Sequence, residues 1–231
     1  MKVEIWSDIA CPFCYIGKHH FQKAVDTLFD KDHVEVDWKS FELDPNAKRD
    51  YDDDIYTLLA NKYNQTREWA INSAENMRAK GNEIGLEFNF NKAISTNTFD
   101  AHRLLHLAKS KGLQNEAEEA LFEAYFKDGQ HIGTYEVIIK VGKKIGLAEN
   151  EVKAMLNSDM YATEVREDER QGQRFGIQSV PFFVINRKYG ISGAQPISHF
   201  VYVLKKANED ESTLITHRGF ETNTCGIDGC E

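Results

Sequence analysis

In the stretch Ser7–Gly17, SDIACPFCYIG, two residues separate Cys11 from Cys14, and the pair directly follows a short apolar segment. Before it, Val3 and Ile5 alternate with polar residues, which predicts a β-strand. After it, apolar residues recur at helical spacing and predict an amphipathic helix. These residues are Phe21, Ala24, Val25, Leu28 and Phe29. The cysteine pair therefore lies where a strand meets a helix, and three uses are open for it: half of a metal site, a structural disulfide or a redox-active pair.

The composition is that of an ordinary globular protein, with 41% hydrophobic and 28% charged residues among 231. The net charge of −9 argues against nucleic acid or an anionic membrane as a partner, since both need basic patches. No apolar run reaches the length of a membrane span, and the N-terminus lacks the pattern of a secretory signal. We therefore predict a cytoplasmic protein, and in the cytoplasm a C-x-x-C is more often redox-active or metal-binding than structural.

The rest of the chain predicts two kinds of structure. Residues 33–43 alternate again and complete a β–α–β unit. Between about residues 52 and 175 there is no proline and the apolar period stays near 3.6, which indicates a block of helices. Pro181 then opens a short apolar strand, followed by a turn, another strand and a last helix. The predicted α/β fold has a core at 1–45 and 176–208, a helical insertion at 46–175 and a polar tail at 209–231.

The position of the cysteine pair favours thiol chemistry. Cys11 would lie at a helix N-terminus, where unpaired N–H groups and the helix dipole favour the thiolate, which is the nucleophile. Cys14 lies on the same helix face, one turn deeper. Cys11 would attack a disulfide and Cys14 would resolve the mixed disulfide. Pro12 suits the first helical turn, and Phe13 would form an apolar rim for a peptide.

A second element of the site comes from the far end of the chain, in SVPFF. A cis bond between Val180 and Pro181 would expose the Val180 backbone for pairing with an extended peptide. This proline is weak evidence alone. It is stronger beside a C-x-x-C after the first strand and a β–β–α unit at the end.

The chain resembles the thioredoxin superfamily, and within it the DsbA-like proteins that are often labelled FrnE-like or related to 2-hydroxychromene-2-carboxylate isomerase. The resemblance extends from residue 4 to about 208. It is carried by SDIACPFCYIG, FELDPNA, NTFDAHRLLHLAKSKG, FKDGQHIG, FGIQSVPFFVIN and GAQP, in that order. It implies a thioredoxin fold with a large α-helical insertion, and disulfide oxidoreductase or isomerase activity. It further implies that Cys11 is the nucleophile, Cys14 the resolving thiol and Pro181 the cis-proline.

Two further cysteines, Cys225 and Cys230, flank the turn-forming sequence GIDG near the C-terminus. They are either an auxiliary redox pair, which exchanges with Cys11 and Cys14 or with a partner, or two exposed thiols in a tail. A zinc site built from all four cysteines is a weaker alternative, because structural sites of this kind usually use two tight C-x-x-C knuckles. We predict no bound metal.

Several polar residues are lesser candidates. Asp8 is interpreted as a loop acceptor more readily than as a proton relay, and Glu42 as an exposed strand end more readily than as a buried proton acceptor for Cys14. Asn97 or Thr98 is most simply a helix N-cap, and His102 and His106 have metal-ligand spacing without a third ligand. The family resemblance makes Asn97 and His102 contributors to a substrate cleft.

The sequence therefore predicts a cytoplasmic thiol–disulfide oxidoreductase that needs no cofactor beyond its cysteines. Its expected partners are cysteine-containing polypeptides or small disulfides, with glutathione as a possible co-substrate. One alternative is a glutathione-dependent isomerase or transferase on the same fold, although relatives of that kind carry serine at the position of Cys11. Another is a peptide-binding, chaperone-like module whose cysteines only sense the redox state.

Overall fold

A computed structural model describes residues 1–29 and 33–209 in full, and the backbone strands at 215–218, 225–226 and 229–230. The strands are β1 (Lys2–Ser7), β2 (Glu35–Ser40), β3 (Ser179–Val180), β4 (Phe182–Ile185), β5 (Tyr189–Ser192), β6 (Ile215–Arg218), β7 (Cys225–Gly226) and β8 (Gly229–Cys230). The helices are α1 (Pro12–Leu28), α2 (Ile55–Lys62), α3 (Arg67–Glu83), α4 (Phe99–Lys109), α5 (Gln114–Phe122), α6 (Tyr135–Lys144), α7 (Glu149–Leu156), α8 (Ala162–Arg174) and α9 (Ile197–Glu209). A π-helical turn, Glu123–Lys127, follows α5.

The chain divides into two compact units: Met1–Leu43 with Glu167–Glu231, and Asp44–Arg166. In the first, five strands form a mixed sheet in the order β2-β1-β4-β5-β6. β1 is parallel to β2 and antiparallel to β4, so that Ile5 lies between Trp38 and Phe183. The predicted β–α–β and β–β–α units thus share one sheet.

The turn between β4 and β5 explains why two such short strands pair. Asn186 and Arg187 both have positive φ, 50° and 52°, as in the two-residue turns whose twist matches that of a hairpin. The Arg187 guanidinium also donates to both oxygens of the Glu4 carboxylate, at 2.8 Å each. Glu4 on β1 is buried, so this ion pair ties the hairpin turn to the central strand.

Alternation along β1 separates the two faces of the sheet. Val3 and Ile5 belong to the core cluster that includes residues of α1 and α9. Trp6, which has no exposed surface, is in contact with α8 and the residues just after it. Its ring packs edge-on against Phe175, and its Nε1 donates to Asp168 O at 2.8 Å.

The contacts of α8 place its second half with the sheet. We predicted that the insertion ends at residue 175, whereas the division between the units falls at Arg166/Glu167, inside α8. Asp168 is the reason: its buried carboxylate accepts from Ser40 N at 3.1 Å and pairs with Lys39 Nζ at 3.0 Å. A purely local helical pattern cannot reveal such contacts with β2.

The second unit is helical, as the periodicity predicts. Its core is apolar and rich in aromatic rings, among them Phe88, Phe122 and Phe126. The buried Arg103 side chain on α4 donates to the carbonyls of Met155, Ser158 and Met160. These carbonyls lie at and beyond the C-terminus of α7, where a cation is favoured.

The tail contains strands that the sequence does not predict. β6 pairs with β5 in parallel, and β7 pairs with β3 and with β8 in a separate three-stranded sheet. These strands have two to four residues, too few for a period-2 pattern to be recognised. Residues 210–214, 219–224, 227–228 and 231 lie outside the described part of the chain.

Of the helices that the structure describes, none combines the length and the apolar character needed to span a bilayer.

Candidate active site

The cysteine pair begins α1. Cys11 is the N-cap, with extended φ and ψ of −96° and 111°, and Pro12 is the first helical residue. The Cys11 N–H donates to Asp8 O at 3.0 Å, and the Cys11 carbonyl accepts from Cys14 N at 3.0 Å. The strand-to-helix junction predicted from SDIACPFCYIG is therefore present, and it sets both thiols on the first turn of the helix.

Both thiols are buried. Cys11 is 0% exposed and Cys14 is 1% exposed, although we expected Cys11 to be the accessible thiol. The Cys11 Sγ lies 3.7 Å from the carbonyl oxygen of Val180 and donates to it. The nucleophile candidate therefore contacts the backbone of the segment before Pro181, as the pairing of the two motifs predicts.

Burial and the neighbouring thiol separate the roles of the two cysteines. Desolvation raises the pKa of the Cys14 thiol well above its ordinary value, and its hydrogen bond to Cys11 and the charge of Cys11 act in the same direction. Hydrogen bonds from the Asp8 backbone and the Ser7 side chain oppose this rise without cancelling it. The protonated form of the Cys14 thiol is therefore favoured.

This pKa predicts how stability depends on pH. In the folded, reduced protein Cys14 keeps its proton at a pH where the unfolded chain releases it, so the stabilisation is complete below the unfolded pKa of about 8.5. Above that pH it falls by about 1.4 kcal/mol per pH unit, until the pH passes the folded pKa. Denaturant unfolding of the reduced protein between pH 7 and 10 should show this loss. A reduced Cys14→Ser variant provides the baseline, and parallel curves for the two proteins would contradict the prediction.

The Val180–Pro181 peptide bond is cis. The Pro181 carbonyl accepts from Gly193 N at 2.8 Å, and His20 Nδ1 lies 2.8 Å from Gln195 O. Gly193 and Gln195 belong to GAQP, the segment after β5. That segment therefore connects the loop of Pro181 with the helix of the cysteines.

Gly17 on α1 allows this loop to approach the helix. A Cβ atom at residue 17 would lie 2.9 Å from Pro181 Cγ, closer than real contacts of this kind, and 3.5 Å from the Ala194 Cα. Gly17 lies within the quoted motif, but sequence reasoning assigned it no role, because a missing side chain carries no signal until its neighbour is known. Gly17 is thus a positioning residue for Pro181.

A Gly17→Ala variant should therefore push the Pro181 loop away from Cys11. We expect disulfide exchange to fall by about tenfold, since small displacements of reacting groups are costly. Alanine favours the helix by about 1 kcal/mol over glycine, so a loss of activity without a loss of helix content would identify the displaced loop. Lys23→Ala, an exposed change on the same helix, is the control for turnover. Equal activity of the two variants would contradict the role of Gly17.

Two buried carboxylates lie in the loop before the pair and in the segment that is hydrogen-bonded to that loop. Asp8 is buried, and its oxygens accept from Leu43 N at 2.7 Å and from Ala10 N at 3.3 Å. It is therefore the loop acceptor that the sequence favoured, and it joins the thiol loop to the chain after β2. Glu42 is 2% exposed, so the expectation of an exposed strand end is wrong, because the chain after β2 continues inward beside Asp8.

The dipeptide between the cysteines differs from expectation in one respect. Pro12 is half-buried, whereas Phe13 is only 5% exposed. The ring of Phe13 faces the interior of the protein, so it does not form the apolar rim that we predicted. Of the two residues, Pro12 is the one with surface available to a substrate.

The residues carried over from the family resemblance lie in the second unit. Asn97 Oδ1 accepts from Phe99 N at 2.9 Å, but the N-cap of α4 is Thr98, whose side chain makes no capping hydrogen bond. His102 is fully buried, and His106 is 8% exposed. Among the residues whose positions the structure describes, no three His, Cys, Asp or Glu side chains gather as a metal site requires.

The second cysteine pair is placed only through its backbone. Cys225 on β7 stands opposite Cys230 on β8 and opposite Val180 on β3. The side chains of Cys225 and Cys230 lie outside the described part of the structure. The backbone register nevertheless brings the second pair to the segment that the Cys11 thiol contacts.

Comparison with known proteins gives consistent results. The sequence matches the family described as DSBA-like thioredoxin domain over residues 2–205. A probable DsbA oxidoreductase from Streptomyces coelicolor is 39% identical, with a TM-score of 0.87 over 100% of this chain and 98% of its own. The cytosolic disulfide reductase DsbM from Pseudomonas aeruginosa, also solved with glutathione, is 13% identical, with a TM-score of 0.65 over 91% of this chain and 100% of its own. The uncharacterized protein YwbO of Bacillus subtilis is 28% identical over 187 residues, 80% of this chain and 86% of that protein.

Proposed function

Because this chain belongs to the DSBA-like thioredoxin domain family, a family of thiol–disulfide oxidoreductases, we propose that it catalyses dithiol–disulfide exchange through a mixed disulfide on Cys11. Membership confirms the predicted resemblance and the thioredoxin fold with its helical insertion. The observation that carries the proposal is the arrangement of Cys11, at the N-terminus of α1, between the protonated thiol of Cys14 and the carbonyl of Val180.

The proposed reaction has two steps. The Cys11 thiolate attacks one sulfur of a substrate disulfide, a Cys11–substrate disulfide forms, and the other substrate sulfur leaves as a thiolate that takes a proton from water. Cys14 then loses its proton and attacks the Cys11 sulfur. A Cys11–Cys14 disulfide forms and the second substrate thiolate is released. The substrate gains two electrons, the enzyme loses two, and the reverse sequence oxidises a dithiol.

The pKa of Cys14 supports this order of events. A resolving thiol that stays protonated does not attack Cys11 before a substrate does, and burial of Cys14 maintains that state. Its proton needs an acceptor in the second step. The buried Glu42 carboxylate is the candidate that we propose, and Asp8, which is held by two backbone N–H groups, is the weaker one.

The proposed substrates are extended, cysteine-containing polypeptides and small disulfides. Val180 and Pro181 would contact the substrate backbone, and Pro12 would contact it beside the thiols. Asn97 and His102 enter the proposal only through the family resemblance. We also propose that the reaction takes place in the cytoplasm, the compartment of DsbM, with glutathione as a co-substrate.

A Cys14→Ser variant tests the proposed function directly. Serine cannot resolve the mixed disulfide, so incubation with oxidised glutathione should leave about one glutathionyl group per chain on Cys11, detectable by mass spectrometry of the digested protein. Cys14→Ser combined with Cys11→Ser is the matched control, and it should remain unmodified at that position. A Cys14→Ser protein that never forms the adduct would overturn the proposal.

The same variant separates the proposal from its main alternative. A glutathione-dependent isomerase or transferase does not cycle its thiols, so Cys14→Ser would leave such activity intact while it abolishes disulfide turnover. The chaperone-like alternative makes a different prediction. In that case Cys11→Ser would still suppress aggregation of an unfolded protein, although it would form no mixed disulfide.

The second pair, Cys225 and Cys230, is proposed as an auxiliary redox pair. Its backbone register beside Val180 supports this role. In the exchange, the Cys11 thiolate would attack a Cys225–Cys230 disulfide, one tail thiolate would leave, and Cys14 would then release the other. A glutathione-buffered titration of the first pair, repeated with Cys225→Ser and Cys230→Ser together, tests it. Coinciding titrations with unchanged turnover would show that the tail thiols are incidental.

A further inference from the structure

β3, whose Val180 carbonyl contacts the Cys11 thiol, pairs with another strand of the same chain. β3 is not part of the five-stranded sheet. Its partner is β7, in an antiparallel register that sets Val180 opposite Cys225 and Ser179 opposite Gly226. β8 then pairs with β7. The C-terminal hairpin, defined here as β7 together with β8, therefore occupies the backbone edge of the segment that precedes Pro181.

This edge is the one that an extended substrate needs. Cys11 Sγ contacts Val180 O at 3.7 Å, so a polypeptide that brings its cysteine to Cys11 runs alongside β3. Strand addition to an exposed edge is the usual way to bind such a polypeptide, because main-chain hydrogen bonds provide the affinity. A single edge accepts one strand at a time. The complete burial of Cys11 is consistent with an edge that is already occupied.

We propose that the C-terminal hairpin is a built-in occupant of the substrate-binding edge, and that an extended polypeptide reaches Cys11 by displacing β7 from β3. The inference rests on the proposed function, since it takes polypeptides as substrates of Cys11. It concerns occupancy of the edge and does not require the tail cysteines to exchange electrons. In this register β7 occupies the place of a substrate strand, and Cys225 stands opposite Val180, where a substrate cysteine would stand.

The size of the contact makes displacement feasible. The β3–β7 ladder has two residue pairs, so few hydrogen bonds hold it, and its strength comes from attachment to the same chain, which gives a high effective concentration. The apparent affinity for a polypeptide therefore equals its affinity for the open edge multiplied by the fraction of molecules in which the edge is open. If that fraction is below about one tenth, vacating the edge should tighten polypeptide binding by about tenfold or more.

The experiment uses the full chain and a peptide copy of its own tail. The probe is a fluorescently labelled peptide TNTSGIDGSE, which is residues 222–231 with both cysteines replaced by serine, so that its binding involves no thiol chemistry. Gly226→Pro removes a backbone N–H from β7 and fixes its φ, whereas Gly226→Ala keeps the N–H and adds one methyl group. We expect the peptide to bind Gly226→Pro at least about tenfold more tightly than Gly226→Ala or the unmodified chain.

Hydrogen exchange tests the same point by a second measurement. Amides of residues 178–180 should be protected in the unmodified chain and in Gly226→Ala, and should exchange faster in Gly226→Pro until the peptide is added. Equal affinities of the peptide for Gly226→Pro and Gly226→Ala, or unprotected β3 amides in the unmodified chain, would overturn the inference. Failure of the proposed function gives a different result: no glutathionyl adduct on Cys11 in Cys14→Ser, with the affinity difference between the two Gly226 variants still present.

Discussion

A Cys11→Ser variant is expected to lose disulfide exchange by at least about a thousandfold, because serine has no sulfur to form the mixed disulfide and its hydroxyl is a far weaker nucleophile. The side chain is buried at the N-terminus of α1, and the replacement is nearly isosteric. The fold should therefore survive, and the loss should appear in turnover alone. Turnover is measured by reduction of a fluorogenic glutathione disulfide. Survival of the fold is measured by the unfolding midpoint of the same variant.

The matched comparison is Cys14→Ser, which removes an equally buried thiol of the same turn. Both variants lose turnover, but Cys14→Ser retains the first step and accumulates the adduct, whereas Cys11→Ser forms none. If Cys11→Ser retained more than about one hundredth of the activity, Cys11 would not be the nucleophile. In that case the buried position of Cys11 would be explained by packing alone.

A Trp6→Ala variant is expected to lower the free energy of unfolding by about 3–5 kcal/mol, the range for removal of a buried aromatic side chain. Trp6 has no exposed surface and packs on Phe175. A Cβ atom at Gly172 would lie only 2.9 Å from its Nε1, so the indole fits closely against α8. Its removal leaves a cavity and deletes the hydrogen bond from the indole to Asp168 O. Denaturant unfolding followed by circular dichroism measures the change.

Trp69→Ala provides the control for Trp6→Ala. Trp69 on α3 is half-buried and packs on Tyr63 in the other unit. Its removal should cost less than that of Trp6, since part of the deleted surface is already in contact with water. If the two variants were equally destabilised, the contact between Trp6 and α8 would contribute little to the first unit. The assignment of the second half of α8 to that unit would then lose its energetic support.

The regular elements could be predicted because their signals are local. Alternation around Val3 and Ile5 depends on neighbours within a few residues, and so does the helical spacing after Cys14. The turn at Asn186 and Arg187 is local as well. The same holds for the place of the cysteine pair, because the end of one strand and the start of the next helix are adjacent in the chain.

What could not be predicted depends on contacts between distant residues. Asp168 lies 128 residues from Ser40, to whose N–H it is hydrogen-bonded, so the limit of the insertion inside α8 has no local signal. The strands of the tail are as short as two residues, and they form because β3 and β5 present free edges to them. Burial of Phe13 and Glu42 likewise depends on neighbouring segments that a local pattern does not identify.

By itself, SDIACPFCYIG determined that two thiols stand at the start of a helix, one turn apart, because helix geometry follows from the local chain. The stretch SVPFF determined in the same local way that Pro181 opens a short apolar strand far along the chain. Only the tertiary structure decided that Cys11 contacts Val180, that Gly17 lets Pro181 approach the helix, and that β7 lies on the same edge. The first two of these contacts join residues that are 169 and 164 positions apart along the chain. Packing and strand pairing select such contacts, and a local pattern carries no information about them.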